Sequence, residues 1–232
     1  MPLSAVGSRC DVLGSGGRKN PPIVHRDGVG MSTSSRDSRP SPTGSSGQVS
    51  TTIVFETHSV SEDNECGVAT GWLPGKLSDR GRALARELGV RRRDDGLAAV
   101  ITSDLQRAVE TTEIAFEGTR VPVMHDWRLR ECDFGELNGA LRETVHSDRF
   151  RWFDAPYPGG ESWTAAIARV AMFLRDVPSR WGGQRILVVG HVATRLCLEH
   201  HINQVPLRAL LNADFAWQEG WEYRLTHRGP AT

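Results

Sequence analysis

His58 stands one residue beyond the run Thr51-Thr52-Ile53-Val54-Phe55-Glu56, and His191 directly follows Arg185-Ile186-Leu187-Val188-Val189-Gly190. Both runs are short, apolar and rich in β-branched residues, the pattern of strands buried on both faces. In an open α/β sheet, ligands bind beyond the carboxyl ends of the strands, at a topological switch point. Two imidazoles placed there share one crevice if their strands are neighbours. An unperturbed imidazole is largely neutral at pH 7, so it can act as a nucleophile, a base or an anion holder. One histidine at a strand end is ordinarily a packing or turn residue; two in the same context point to chemistry. Arg107 falls in the first turn of a helix predicted after the apolar run Leu97–Thr102, and Glu131 in the loop-like stretch Leu129-Arg130-Glu131-Cys132-Asp133-Phe134-Gly135. Taken singly, Arg107 reads as a solvated helix arginine and Glu131 as a surface carboxylate beside Arg130.

The elements that must position these residues alternate in type. Strands are predicted at Thr51–Glu56, Leu97–Thr102, Val121–Met124 and Arg185–Gly190, with two later ones near Phe215–Gln218 and Trp221–Thr226. Helices are predicted over Leu77–Arg91, with Ser78 as N-cap, and over Asp104–Phe116. Ile167, Val170, Ala171 and Leu174 follow the i, i+3, i+4, i+7 rule and predict an amphipathic helix over Ser162–Val177. A further helix is predicted over Ala193–His201. Alternation of this kind implies an α/β fold with a mainly parallel sheet and helices on both faces.

Residues 1–50 contain 11 Ser, 8 Gly and 5 Pro, too few apolar groups to offset the entropy of ordering the chain. They are read as a disordered Gly/Ser/Pro-rich tail, and 51–232 as the catalytic domain. The chain has 28 Lys+Arg against 28 Asp+Glu, a balance that argues against a dedicated nucleic-acid binder. No stretch approaches the roughly 20 apolar residues of a membrane span, and no signal-peptide segment opens the chain. Cys10, Cys66, Cys132 and Cys197 are far apart and form no CxxC pair, so neither a zinc site nor a disulfide framework is expected. His200 and His201 are adjacent on a helix and face different ways. The expectation is a cytoplasmic protein with reduced thiols, no metal and no cofactor.

The ordered motifs are His58, Asn64, Leu77-Ser78-Asp79-Arg80-Gly81, Ser103-Asp104-Leu105-Gln106-Arg107-Ala108, Glu131 with Gly135, Gly159-Gly160-Glu161-Ser162 and Val188-Val189-Gly190-His191. Together they resemble the histidine phosphatase superfamily, which includes the cofactor-dependent phosphoglycerate mutases, over roughly residues 51 to 200. The resemblance implies a three-layer α/β/α sandwich of phosphoglycerate mutase type. It implies that His58 is the nucleophile that becomes phosphorylated, that Arg107 and His191 hold phosphoryl oxygens, and that Glu131 gives a proton to the leaving group. Asn64 and the backbone N–H of Val192 would assist. A homodimer accords with the family's habit.

Two departures stand out. The family's Arg-His-Gly is Thr57-His58-Ser59 here, and its His-Gly is His191-Val192. Thr57 places a hydroxyl where a guanidinium would clamp phosphate; loss of one charge-assisted bond of about 1.5–3 kcal/mol weakens binding about 10- to 150-fold. Lys76, Arg130 and Arg195 are the candidate substitutes. Trp72, Trp152 and Trp163 are candidates for an aromatic subsite, and Asp133, Glu136 and Arg142 for substrate selection. The resemblance suggests a metal-independent phosphomonoesterase acting on a small phosphorylated metabolite. A phosphomutase is the alternative, against which stands the short separation of Glu131 from Gly160. A catalytically impaired phosphate-ligand binder is the third reading, with Thr57 as its support.

Overall fold

A computed structural model describes residues 48–213 and 215–228. Strands β1 (Gln48–Thr57), β3 (Ala99–Thr102), β4 (Val123–His125), β6 (Arg185–Gly190) and β7 (Trp221–Arg228) form one sheet in the order β4-β3-β6-β1-β7. The first four are mutually parallel, and β7 closes the edge antiparallel to β1. A short hairpin-like pair, β2 (Val68–Ala69) with β5 (Ala140–Leu141), stands apart.

Alternation along the strands builds two cores. Ile53, Phe55, Ile101, Ile186 and Val188 point to one face and pack with α5 (Trp163–Trp181) and α6 (Val192–His201). Val54, Val100, Leu187 and Val189 point to the other and meet Leu88 of α2 (Asp79–Arg92) with Ala115 and Phe116 of α3 (Gln106–Phe116). Each fully buried side chain of this kind contributes about 1.5–3 kcal/mol. The three-layer α/β/α arrangement follows from that two-sided burial. Ser78 caps α2 and Ser162 caps α5, each hydroxyl accepting an N–H three residues on at 3.1 Å. Gly81 lets α2 meet the chain after β1: a Cβ there would lie 1.9 Å from the Val60 carbonyl oxygen.

Several boundaries move. β1 begins at Gln48, not Thr51, because β7 offers residues 48–50 a ladder through Thr226, His227 and Arg228; the rest of the predicted tail lies outside the described residues. Phe215–Gln218 forms no strand, and the preceding chain makes α7 (Leu207–Asn212). Two short helices, α1 (Glu62–Glu65) and α4 (Arg142–His146), were not foreseen. Cys132 and Cys197 are buried free thiols. Among the described residues no helix is long and apolar enough to cross a membrane.

Candidate active site

β1 and β6 are neighbours in register, with Thr57 opposite Gly190, and the His58 N–H donates to the Gly190 carbonyl at 3.0 Å. The ladder therefore delivers both histidines side by side at the carboxyl edge, with ring centroids 5.0 Å apart. β3, on the other side of β6, ends beside Ser103, whose hydroxyl lies 2.6 Å from His191 Nε2. The next helix, α3, brings in Arg107. Its Nε donates to His58 Nε2 at 3.2 Å, and its Nη2 reaches the Gly71 carbonyl at 2.9 Å and His191 Nδ1 at 3.3 Å. Arg107 Nη1 is buried with no hydrogen-bond partner, an orphaned charged donor that a phosphoryl oxygen would satisfy.

The hydrogen bonds set the protonation pattern. A guanidinium only donates, so His58 Nε2 and His191 Nδ1 both accept. The His58 proton then sits on Nδ1 and goes to the Ser59 carbonyl at 2.7 Å, while His191 Nε2–H goes to Ser103. Burial, then the Arg107 charge, pushes the His58 pKa down to about 3 against the opposing pull of the Ser59 carbonyl. His191 is held well below the ordinary range by burial first, and then by Arg107, His58 and Arg169. Both rings are neutral in this state. The lone pair of His58 Nε2 thus faces Arg107, and an imidazolium at His191 would require a bound anion to favour it. Burial lowers the Arg107 pKa to about 10, which leaves it charged at neutral pH.

Glu131 is brought to the same place by the segment after β4. Its Oε1 accepts the N–H of Cys132 at 2.9 Å and of Ala193 at 3.1 Å, and its Oε2 accepts the N–H of Val192 at 3.2 Å. The Val192 N–H expected to assist phosphate is therefore held by the carboxylate at the first turn of α6, where N–H groups have no partner inside the helix. Asn64 lines the cavity, but its Oδ1 accepts the Ser61 N–H in the capping box of α1. Thr57 lines the cavity too. Ser59 is buried, its N–H given to Thr111 Oγ1 at 2.9 Å.

Of the substitute cations, Lys76 pairs with Glu62 at the surface, and Arg130 forks onto Asp104 while lying over Trp72. Neither lines the cavity. Arg195 does, and its Nε is buried without a partner. Trp72 is not an aromatic subsite: its Nε1–H donates to the Glu131 carbonyl at 2.7 Å. Trp152 stacks on Tyr157, and only Trp163 of the three lines the cavity. Asp133 accepts from Gly135 and Asn138 and serves the loop itself; Glu136 lies outside the cavity lining and Arg142 within it.

Sequence reasoning missed Arg169. On α5 it takes both Glu161 oxygens at 2.8 and 2.7 Å and donates to the carbonyls of Arg128, Arg130 and Glu131 at 2.8, 3.1 and 3.1 Å. Glu161 comes from the Gly-Gly-Glu-Ser stretch, seated by glycines: a Cβ on Gly160 would lie 2.3 Å from the Asp133 carbonyl oxygen. No local pattern marks which of the three arginines of α5 turns inward. Ser103 was findable, since it follows a buried strand as the histidines do. Among the described residues no three His, Cys, Asp or Glu side chains converge to hold a metal.

His58, Arg107, Glu131 and His191 form the floor of a cavity of about 990 Å³, within the range of small-molecule sites. The model of the histidine phosphatase superfamily, branch 1, matches residues 53–227. The chain is 29% identical over 193 residues to a 2,3-bisphosphoglycerate-dependent phosphoglycerate mutase of Parvibaculum lavamentivorans, covering 76% of this chain and 91% of that one. A mutase of the same name from Azorhizobium caulinodans is 31% identical over 189 residues, covering 75% and 91%. Among solved structures, Bacillus stearothermophilus YhfR superposes with a TM-score of 0.65 at 28% identity, covering 73% of this chain and 88% of that one. A mycobacterial glucosyl-3-phosphoglycerate phosphatase with VO3 gives 0.61 at 26%, covering 70% and 85%.

Proposed function

The chain belongs to the histidine phosphatase superfamily, and from that premise we propose that it is a phosphomonoesterase working through phosphohistidine on His58. The observation that carries this reading is the bridge by Arg107 between the two neutral imidazoles, at 3.2 and 3.3 Å, with Nη1 left over for a phosphoryl oxygen. His58 Nε2 attacks phosphorus, and the ester P–O bond breaks as Glu131, protonated beside the dianion, gives its proton to the departing alkoxide. Alcohol leaves. Water then attacks phosphorus, Glu131 takes its proton, the N–P bond breaks, and inorganic phosphate leaves with His58 restored. Arg107 and His191 stabilise the charge on the equatorial oxygens.

A mutase reading is favoured by the names of the sequence relatives. Hydrolysis is favoured by the short segment after Glu131, which leaves α4 as its only α-helix before α5 and the floor open to a wide cavity. Phosphate release from p-nitrophenyl phosphate, abolished in His58→Ala, supports the phosphatase. Interconversion of phosphoglycerates without net phosphate release supports the mutase instead, and inactivity in both assays supports a ligand-binding relative.

A further inference from the structure

Arg195 is held in place without an acid. It lines the cavity, its Nε is buried with no hydrogen-bond partner, and it joins no ion pair among the described residues. Its Cζ lies 4.7 Å from the centroid of the Trp221 ring and 5.5 Å from that of Phe215. The Tyr223 hydroxyl also feels its charge, but is given to Glu199 Oε1 at 2.8 Å. Aromatic faces seat a guanidinium without neutralising it, and a buried charged donor with no acceptor carries a penalty that an anion would remove.

The fold aims this charge at the carboxyl edge of the sheet. Arg195 stands one turn into α6, its N–H on the His191 carbonyl at 3.1 Å. Helical side chains lean toward the helix N-terminus, here the end that carries His191. Trp221 pairs with Phe55 across β7 and β1, ring centroids 5.7 Å apart. Thr57, two residues beyond Phe55, is on the same face of β1 and lines the same cavity. Arg195 therefore stands on the side of β1 to which Thr57 turns, and the short threonine leaves that space to it. Arg107 comes from the opposite side, because α3 packs on the other face of the sheet from α6.

We propose that Arg195 is a second phosphoryl-binding guanidinium, its Nε donating to one oxygen of the transferring group from the α6 side while Arg107 Nη1 donates to another from the α3 side. This rests on the floor around His58 being a phosphoryl site. Two guanidinium groups on opposite sides of a dianion neutralise it and fix two of its oxygens, so the third is oriented as well. Thr57 supplies no charge beside His58, and Arg195 makes good that deficit from a different element.

The test is calorimetric titration of the full chain with methylphosphonate, which carries the phosphoryl oxygens, has no alcohol part and is not hydrolysed. Affinity should fall about 10- to 100-fold in Arg195→Gln and recover in the double variant Thr57→Arg/Arg195→Gln, where an arginine on β1 enters the space left open. A structural fault at position 195 would not respond to that second change. Wild-type affinity in Arg195→Gln overturns the proposal, and so does a loss that Thr57→Arg fails to reduce. Where Arg195→Gln does not fold, Arg195→Lys, which keeps a charge over the rings but has no Nε–H, takes its place with the same two outcomes. Turnover of p-nitrophenyl phosphate by the wild type judges the esterase reading separately: no turnover beside an affinity that depends on Arg195 removes hydrolysis and leaves Arg195 in its role. Failure of the wild type to bind methylphosphonate overturns both.

Discussion

Glu131 holds the backbone N–H of Val192 at 3.2 Å, so the proposed proton donor occupies a group that the proposed reaction would give to a phosphoryl oxygen. In this state the carboxylate caps the start of α6, as an anion does at any helix N-terminus. Under the proposed function, a phosphoryl oxygen drawing on the same N–H groups would couple arrival of phosphate to release of Glu131 toward the leaving group.

Glu131→Gln retains the shape and one acceptor but has no proton to give. Turnover of an alkyl phosphate should fall about 10²- to 10⁴-fold, and turnover of an activated aryl phosphate far less. Steady-state rates across leaving groups of graded acidity check this; an equal loss for both classes removes the proton-donor role.

Arg107→Lys keeps a positive charge but cannot reach both imidazoles and a phosphoryl oxygen at once. Loss of a preorganised donor at developing charge costs about 10²- to 10³-fold in kcat. The lysine variant should therefore resemble Arg107→Ala in kcat, and rescue by lysine would show that charge alone suffices.

Arg169→Gln breaks a buried pair with Glu161 and frees the carbonyls that fix the backbone of Glu131. Breaking such a pair costs about 3 kcal/mol of stability. The functional sign of its positioning role is a kcat loss confined to poor leaving groups with KM little changed, measured below the lowered Tm.

Stability should fall with acid because of the neutral histidines. The folded His58 pKa is about 3 and that of His146 about 4, both below the ordinary value, and His191 is shifted in the same direction. Between those values and about 6.5 the unfolded chain binds more protons than the folded one. Stability is then full above that range and declines as pH falls through it. Tm measured from pH 7 down to pH 4 should drop, and His58→Gln should flatten the slope by about one proton's worth.

Much of this molecule is legible in its sequence. Periodicity and β-branching placed His58 and His191 at strand ends, and the strand Arg185–Gly190, because burial on both sheet faces demands an uninterrupted apolar run. Ser78 and Ser162 marked their helix starts because capping is a local hydrogen bond. The ordered motifs around Arg107 and Glu131 did the rest. What local pattern cannot hold is adjacency across the chain. Tertiary structure alone inserted β6 between β1 and β3, set the rings 5.0 Å apart, and sent Arg130 and Lys76 away to partner acids while keeping Arg195 on the cavity wall. It also brought Arg80, Arg142, Arg149 and Arg195 to one cavity of a chain with no net charge, since a charge sum carries no positions. Residues far apart in sequence share an electric field only after folding brings them together.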